Sequence, residues 1–205
     1  KAETFAARAG VPAKYQVFMK GLWHMDRQSF AVALEYLTHP SLVPEFADDI
    51  ILALARHADR ADEDHKLPLA YYHTVEPVLK NPASFEALLD AKARTNLFEA
   101  VLFARARPES MRELLFRRII TNVLSAPEGD QKAERASELV AMPLDPAEER
   151  WFEEVLTEGD GKRLKGAKDT LMMRRIATGR VSNAGEKGTW GTVMDSFRVG
   201  SGGRA

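Results

Sequence analysis

The 205-residue sequence contains no cysteine. This absence excludes disulfides, zinc ribbons, iron–sulfur clusters and cysteine nucleophiles, and it suits a reducing compartment. No Asn-x-Ser/Thr glycosylation sequon occurs either. The apolar runs are only a few residues long, whereas a helix needs roughly 20 apolar residues to cross a bilayer. We therefore expect no membrane-spanning segment.

The sequence also lacks an excess of either charge. Its 29 Lys and Arg residues balance 30 Asp and Glu residues, for a formal net charge of −1. Domains that bind nucleic acid as a general function usually carry a clear basic excess, so the balance argues against that class. Because the chain begins with Lys1 and not with Met, we expect a fragment or a processed form.

No arrangement of residues typical of catalysis is present. A Gly-x-Ser-x-Gly elbow is absent, and in the stretch 185–191 no Lys stands between Gly188 and Thr189, where a phosphate-binding Walker loop requires one. His65 and His73 lie near the acidic residues 62–64, but no His-x-x-x-His pair exists, so solvated surface charge is favoured over a metal site. We predict no catalytic residue, no metal, no cofactor and no small-molecule substrate.

From about residue 12 to residue 177, apolar residues recur with the 3.6-residue period of amphipathic helices. No segment shows the alternation of a strand, so the predicted fold is all-α. Short helices joined by Pro-marked turns favour an irregular α-solenoid-like stack of antiparallel helices. Helix starts are predicted at Asp26, Pro44, Pro68, Ser84, Pro108 and the strongly typical Asp145-Pro146-Ala147-Glu148.

The composition changes at residue 178, where seven of the thirteen glycines fall between Gly179 and Gly203. This divides the chain into a helical domain, 1–177, and an extended Gly-rich tail, 178–205. Four apolar residues in the tail are spaced by three or four and would share one helical face: Trp190, Val193, Met194 and Phe197. They predict either a last helix that folds back on the domain or a tethered motif that docks in the groove of a partner.

A basic segment precedes the tail and contains Lys162, Arg163, Lys165, Lys168, Arg174 and Arg175. One interpretation, which we favour, is that these cations neighbour the acidic helix before them and that the charges offset each other. The other is a patch that weakly contacts DNA, chromatin or an acidic partner and loses affinity as salt rises.

The most specific pattern lies at residues 15–57. The face formed by Tyr15, Phe18, Met19 and Leu22 is predicted to be buried, and so is the face of the next helix. In this segment a Trp and an Asp precede a short helix that ends in Leu-x-His-Pro-Ser-Leu, and a Pro follows. The residues of this pattern are Trp23, Asp26, Phe30, Ala33, Leu34, Leu37, His39, Pro40, Ser41, Leu42 and Pro44. In these elements the chain resembles the ELYS-like nuclear pore assembly family, in the form of its short fungal members.

The resemblance implies an all-α, non-enzymatic nucleoporin of the Y-shaped outer-ring complex, located at the nuclear pore in the nuclear envelope. Its partners would be other nucleoporins of that complex, and it would act as a scaffold in pore assembly and nucleocytoplasmic transport. The β-propeller and the Arg-Gly-Arg-Pro core of the AT-hooks that animal members carry are absent from this sequence. The alternative is an α-solenoid adaptor of membrane traffic or another assembly, with the same architecture.

Overall fold

The computed structural model describes residues 10–61, 65–127, 129–158 and 160–180, and in these ranges it contains helices and no strand. The predicted all-α fold is therefore confirmed. The α-helices are α1 Ala13–Asp26, α2 Phe30–Leu37, α3 Ala47–Ala61, α4 Lys66–Val75, α5 Pro82–Thr95, α6 Leu97–Arg105, α7 Glu109–Ser125, α8 Asp130–Ala141, α9 Pro146–Thr157 and α10 Ala167–Ala177, with a 3-10 turn at Asp160–Arg163 before α10.

The helices pack in the order of the chain. The main contacts join helices that are one or two positions apart, from α1 on α2 at one end to α10 on α8 and α9 at the other. One continuous apolar core runs through these layers, and its largest fully buried side chains include Tyr71, Phe116 and Phe152. This local pattern of contacts is the one expected of a stack of helix pairs. None of the described helices has the length and apolarity needed to cross a bilayer.

The strongest predicted helix start is confirmed in detail. Asp145 accepts hydrogen bonds from the backbone N–H groups of Ala147 and Glu148, each at 2.9 Å, and the Glu148 carboxylate accepts the Asp145 N–H at 3.1 Å. This is a capping box with Pro146 in the first turn of α9. It satisfies N–H groups that the first turn of a helix otherwise leaves without partners.

Three other predicted helix starts are wrong. Asp26 is the last residue of α1 and not the first of the next helix, because Arg27–Ser29 turn the chain before α2. Pro44 lies outside α3, which begins at Ala47 after Phe46 takes up a left-handed φ of 56°. Ser84 lies inside α5, whose cap is Asn81, and its hydroxyl is buried.

Ser84 is buried because its hydroxyl group is a hydrogen-bond partner of the Asp48 carboxylate. The Asp48 carboxylate, at the start of α3, binds the Ser84 hydroxyl and accepts backbone N–H groups of Lys80 and Asn81 at 3.2 Å and 3.1 Å. Burial raises the pKa of Asp48, but these hydrogen bonds outweigh it and hold the pKa below its ordinary value of 3.8. The carboxylate thereby fixes the entry of α5 against α3.

Glu148 is the most deeply buried carboxylate in the described part of the chain, with no exposed surface. It accepts hydrogen bonds from Nε and Nη2 of Arg105 at 2.9 Å and 2.6 Å, and from Nη2 of Arg112 at 2.5 Å. Arg112 also pairs with Asp145, and Arg105 donates to the Pro143 carbonyl at 2.7 Å. We call these four side chains, Arg105, Arg112, Asp145 and Glu148, the Glu148 clamp. It joins α6, α7 and α9.

The pKa of Glu148 reflects two opposed effects. Removal of the carboxylate from water raises the pKa, and the hydrogen bonds from Arg105 and Arg112 lower it. The second effect is larger, so the pKa lies below its ordinary value of 4.5. Glu148 is therefore a carboxylate in the folded protein at neutral pH.

We expect Glu148→Gln to lower the free energy of unfolding by about 2 kcal/mol. Breaking a fully buried ion pair costs about 3–5 kcal/mol, but the two guanidinium groups here are 28% and 21% exposed and keep some hydration. Urea denaturation at pH 7 measures the change. The matched control is Glu154→Gln, whose carboxylate is 40% exposed and should contribute less than about 1 kcal/mol. Equal effects of the two variants would contradict the role of the clamp.

We also expect stability to fall in acid. The folded-state pKa of Glu148, and those of Asp48 and Asp145, lie below the ordinary values, so the unfolded chain takes up protons first. These carboxylates contribute fully above pH 4.5, and the contribution is lost as pH falls through their folded-state values. Urea midpoints measured from pH 7 to pH 3 should decline below about pH 4.5, and less steeply in Glu148→Gln. An identical decline in both proteins would exclude Glu148 as a cause.

Candidate interaction surfaces

Helix α1 exposes a row of large apolar side chains. Tyr15, Met19 and Trp23 are 49%, 61% and 53% exposed. Their spacing of four residues places them on one side of the helix. The prediction that Tyr15 and Met19 face the core is therefore wrong. Phe18 and Leu22 are the members of that set that pack against the core. We call Tyr15, Met19 and Trp23 the α1 stripe.

The polar neighbours of Trp23 hold its ring in place. The Arg27 guanidinium lies 4.9 Å from the ring centroid, and the edge of His24 meets it at 4.8 Å. His24 in turn stacks on Tyr36 of α2 at 5.4 Å. An aromatic ring that is ordered while exposed loses little side-chain entropy on binding, which is the property of an interface anchor.

The close approach of α1 and α2 could not be predicted from the sequence. Gly21 is buried where α1 crosses α2, and a Cβ atom there would lie 2.6 Å from Cδ2 of Leu37. Leu37 itself is buried in the core and has little room to move. Glycine in the middle of a helix is unfavourable by itself, so the contact between the helices is the physical reason for it here.

The His-Pro-Ser-Leu element forms a turn after α2. The Leu42 N–H donates to the His39 carbonyl at 3.0 Å, with Pro40 at the second position of the turn. Nδ1 of His39 accepts the Ser41 N–H at 3.2 Å and lies 2.7 Å from the Ser41 hydroxyl. The His39 side chain thereby stabilises the turn that follows α2. Thr38 closes the helix by donating to the Leu34 carbonyl.

A second apolar surface lies between α6 and α8. Phe98 and Leu102 occupy the outer side of α6 and are 49% and 45% exposed. Beside Phe98 is a groove of about 610 Å³. We call it the α6–α8 groove, and its lining consists of Thr95, Asn96, Leu97, Phe98, Glu134, Arg135, Glu138, Ala141, Met142 and Pro143.

The structure divides the predicted basic patch. Arg174 is buried, pairs with Glu149, and donates to the carbonyl groups of Val140 and Met142. It cannot belong to a surface patch, because its guanidinium is committed to the contact between α8, α9 and α10. Arg175 lies 3.5 Å from Glu153. The favoured interpretation, that basic and acidic helices offset each other, therefore describes these two arginines.

The other four members of the patch are exposed: Lys162, Arg163, Lys165 and Lys168. The chain between them does not form one helix, because a 3-10 turn ends at Arg163 and α10 begins at Ala167 after Gly166. Gly166 has a left-handed φ of 88°, a conformation that favours glycine. The exposed cations thus flank a turn and do not form one helical face.

The two histidines that were weighed as metal ligands face cations. Nε2 of His65 lies 2.7 Å from Nη1 of Arg94, and Nε2 of His73 lies 3.2 Å from Nζ of the buried Lys92. A ring nitrogen in this position accepts a hydrogen bond and has no lone pair left for a metal. Within the described ranges, no group of three or more His, Asp or Glu side chains could hold a metal ion.

Comparison with known families agrees with the signature in α1 and α2. The family described as "ELYS: Nuclear pore complex assembly" matches residues 1–159. The chain belongs to the ELYS family. This match includes the α1 stripe, the His39 turn, the α6–α8 groove and the Glu148 clamp, and it ends before α10.

A curated relative gives a more limited comparison. Over 79 residues the chain is 32% identical to "Uncharacterized protein ely5" of Schizosaccharomyces pombe. The matched region covers 38% of this chain and 25% of the length of that relative. No solved structure matches the chain.

Membership of the ELYS family defines the setting of this protein. The family acts in nuclear pore complex assembly, which gives this chain a nucleoporin-related setting at the nuclear pore. The family is not an enzymatic one.

Not every predicted site can be placed. Trp190, Val193, Met194 and Phe197 lie outside the described residues, as does the tail beyond Arg180. The α1 stripe and the outer side of α6 were missed as surfaces, because the periodicity of apolar residues cannot tell a face that meets the core from one that meets a partner. The apolar residues of α1 cover two sides of the helix, which is more than contact with the core requires. This width is the signal in the sequence that could have revealed the stripe.

We expect Gly21→Ala to destabilise the protein by about 1–3 kcal/mol. The added methyl group would meet the buried Leu37 side chain, and this outweighs the gain in helix propensity from alanine. The measurement is the urea midpoint. Met19→Ala, in the same helix but exposed, is the control and should change stability by less than about 0.5 kcal/mol. If the Gly21→Ala variant were more stable than the wild type, α1 and α2 would be able to move apart without loss of stability.

Proposed function

We propose that this chain is a structural subunit of the Y-shaped outer-ring complex of the nuclear pore. It acts as a protein-binding scaffold in pore assembly and nucleocytoplasmic transport. The match to the ELYS family over residues 1–159 is the observation that carries this proposal. The helical stack supports it, since successive helix pairs present an extended surface to other proteins.

The α1 stripe is the proposed contact with an outer-ring nucleoporin. Large ordered aromatic and Met side chains are enriched at the centres of protein interfaces. Tyr15, Met19 and Trp23 meet this description and lie in the segment that carries the family signature. Three side chains cover only part of the roughly 800 Å² that each partner contributes to a stable interface. The stripe is therefore the anchor of a wider contact.

An adaptor of membrane traffic would have the same kind of helical architecture. The fold alone does not separate the two functions. The family match supports the nuclear pore over membrane traffic, because its description names the nuclear pore. Recovery of the chain with coat proteins of vesicles, and not with nucleoporins, would select the adaptor.

We expect the triple variant Tyr15→Ser, Met19→Ser, Trp23→Ser to lose co-purification of outer-ring nucleoporins from nuclear-envelope extract. Its stability should stay close to that of the wild type, because these side chains make few core contacts. The matched control is Val78→Ser with Leu114→Ser, which removes two exposed apolar side chains elsewhere in the stack. The control should recover the nucleoporins as the wild type does.

Two results would count against this assignment. If the wild-type chain recovers no outer-ring nucleoporin, the proposed function fails. If the triple variant recovers them as well as the wild type, the scaffold function stands and the contact lies on another surface. Circular dichroism and the urea midpoint of each variant show whether a loss of binding comes from a loss of folding.

A further inference from the structure

We propose that the α6–α8 groove is the docking site of the C-terminal segment Trp190–Phe197 of the same chain. The sequence left two interpretations of this segment open, a contact with its own domain and a contact with a partner. The geometry at the end of α10 points to the first. This inference does not depend on the assignment to the outer ring.

The groove combines an apolar floor with a lining that is polar for the larger part and includes Thr95, Asn96 and Arg135. Leu97 and Met142 form a buried floor, and Phe98 provides an exposed aromatic wall. Glu134 and Glu138 stand on the rim, are exposed, and make no ion pair with another described residue. A volume of about 610 Å³ lies within the range of roughly 300–1,000 Å³ that is usual for sites binding compact apolar groups.

The described chain ends close to this groove. Nη1 of Arg180 lies 3.5 Å from Oε2 of Glu149. Glu149 pairs with Arg174, and Nη1 of Arg174 is 2.6 Å from the carbonyl oxygen of Met142, a residue of the groove. Two side chains, Glu149 and Arg174, therefore connect Arg180 to Met142 in the floor of the groove, and α10 packs directly on α8.

The linker is long enough to reach the groove but short enough to keep the segment near it. Trp190 lies ten positions after Arg180 in the sequence, with nine residues between them. A flexible Gly-rich chain of this length has an end-to-end distance of about 17 Å, and it spans about 33 Å when extended. The α1 stripe is a less favourable target, because α1 belongs to the opposite end of the order in which the helices pack.

The segment offers groups that match those of the groove. Trp190 and Phe197 could each bury about 150–250 Å² of aromatic surface against the floor and Phe98. Lys187 and Arg198 flank these anchors and carry the charge opposite to that of Glu134 and Glu138, and Asp195 within the segment carries the charge opposite to that of Arg135. Tethering raises the local concentration of such a weak ligand to the millimolar range, so a modest affinity is enough to fill the groove.

Hydrogen exchange on the full-length chain tests the proposal. We expect exchange in α6 and α8 to be faster by about tenfold in the double variant Trp190→Ala, Phe197→Ala than in the wild type. Amides of α2 should not change. The matched control, Val181→Ala with Val199→Ala, removes apolar side chains that flank the segment and should behave as the wild type. Unchanged exchange in α6 and α8 of the double variant would overturn the proposal.

The absence of cysteine permits a second and direct test. Glu138→Cys combined with Asp195→Cys should form an intrachain disulfide at least about tenfold faster than Glu35→Cys with Asp195→Cys, because docking raises the effective concentration. Adding Trp190→Ala and Phe197→Ala should remove the difference. A disulfide that forms only between two chains, at a rate that rises with protein concentration, would replace the proposal by docking on a second copy. Equal rates for both pairs would refute it.

Discussion

The attraction between one buried carboxylate and two arginines determines how the middle of this molecule is arranged. If the charged Glu148 side chain left the interior, Arg105 and Arg112 would lose their partner. The three side chains therefore hold α6, α7 and α9 in one relative position. The capping box adds to this constraint, because the carboxylate that binds both arginines also accepts the Asp145 N–H. Next to it, Glu149 and Arg174 bring α10 onto α8 and α9. Charge pairing thus fixes helices that the apolar core alone would hold in place less specifically.

This arrangement leaves two apolar surfaces at different places in the stack. The α1 stripe lies on the first helix, next to the tight contact at Gly21, and the α6–α8 groove lies beside the helices joined by the clamp. For a protein whose family assembles nuclear pores, rigid helices with exposed apolar side chains are the features that permit stable contacts with other subunits. The stripe would face a nucleoporin, and the groove would hold the end of the chain itself.

The sequence allowed the helical class and the start of α9 to be predicted, because periodicity and capping depend on neighbouring residues. The start of α5 and the burial of Ser84 could not be predicted, since both depend on Asp48, 36 residues earlier in the chain. Burial of Arg174 was missed for the same reason, as its partner Glu149 lies on another helix. The exposure of Met19 could not be predicted, because apolar residues recur with the same helical spacing whether their face packs on the core or binds a partner. Local signals therefore defined the elements, and contacts between distant residues defined the surfaces.

The most direct test of the account is site-specific photo-cross-linking in cells. A photoreactive amino acid at position 23, in the α1 stripe, is compared with the same amino acid at position 114, an exposed apolar position on α7. The account predicts that position 23 forms an adduct with an outer-ring nucleoporin, identified by mass spectrometry, and that position 114 does not. If the protein is located at the nuclear pore but position 23 gives no such adduct, the stripe is not the contact with the outer ring.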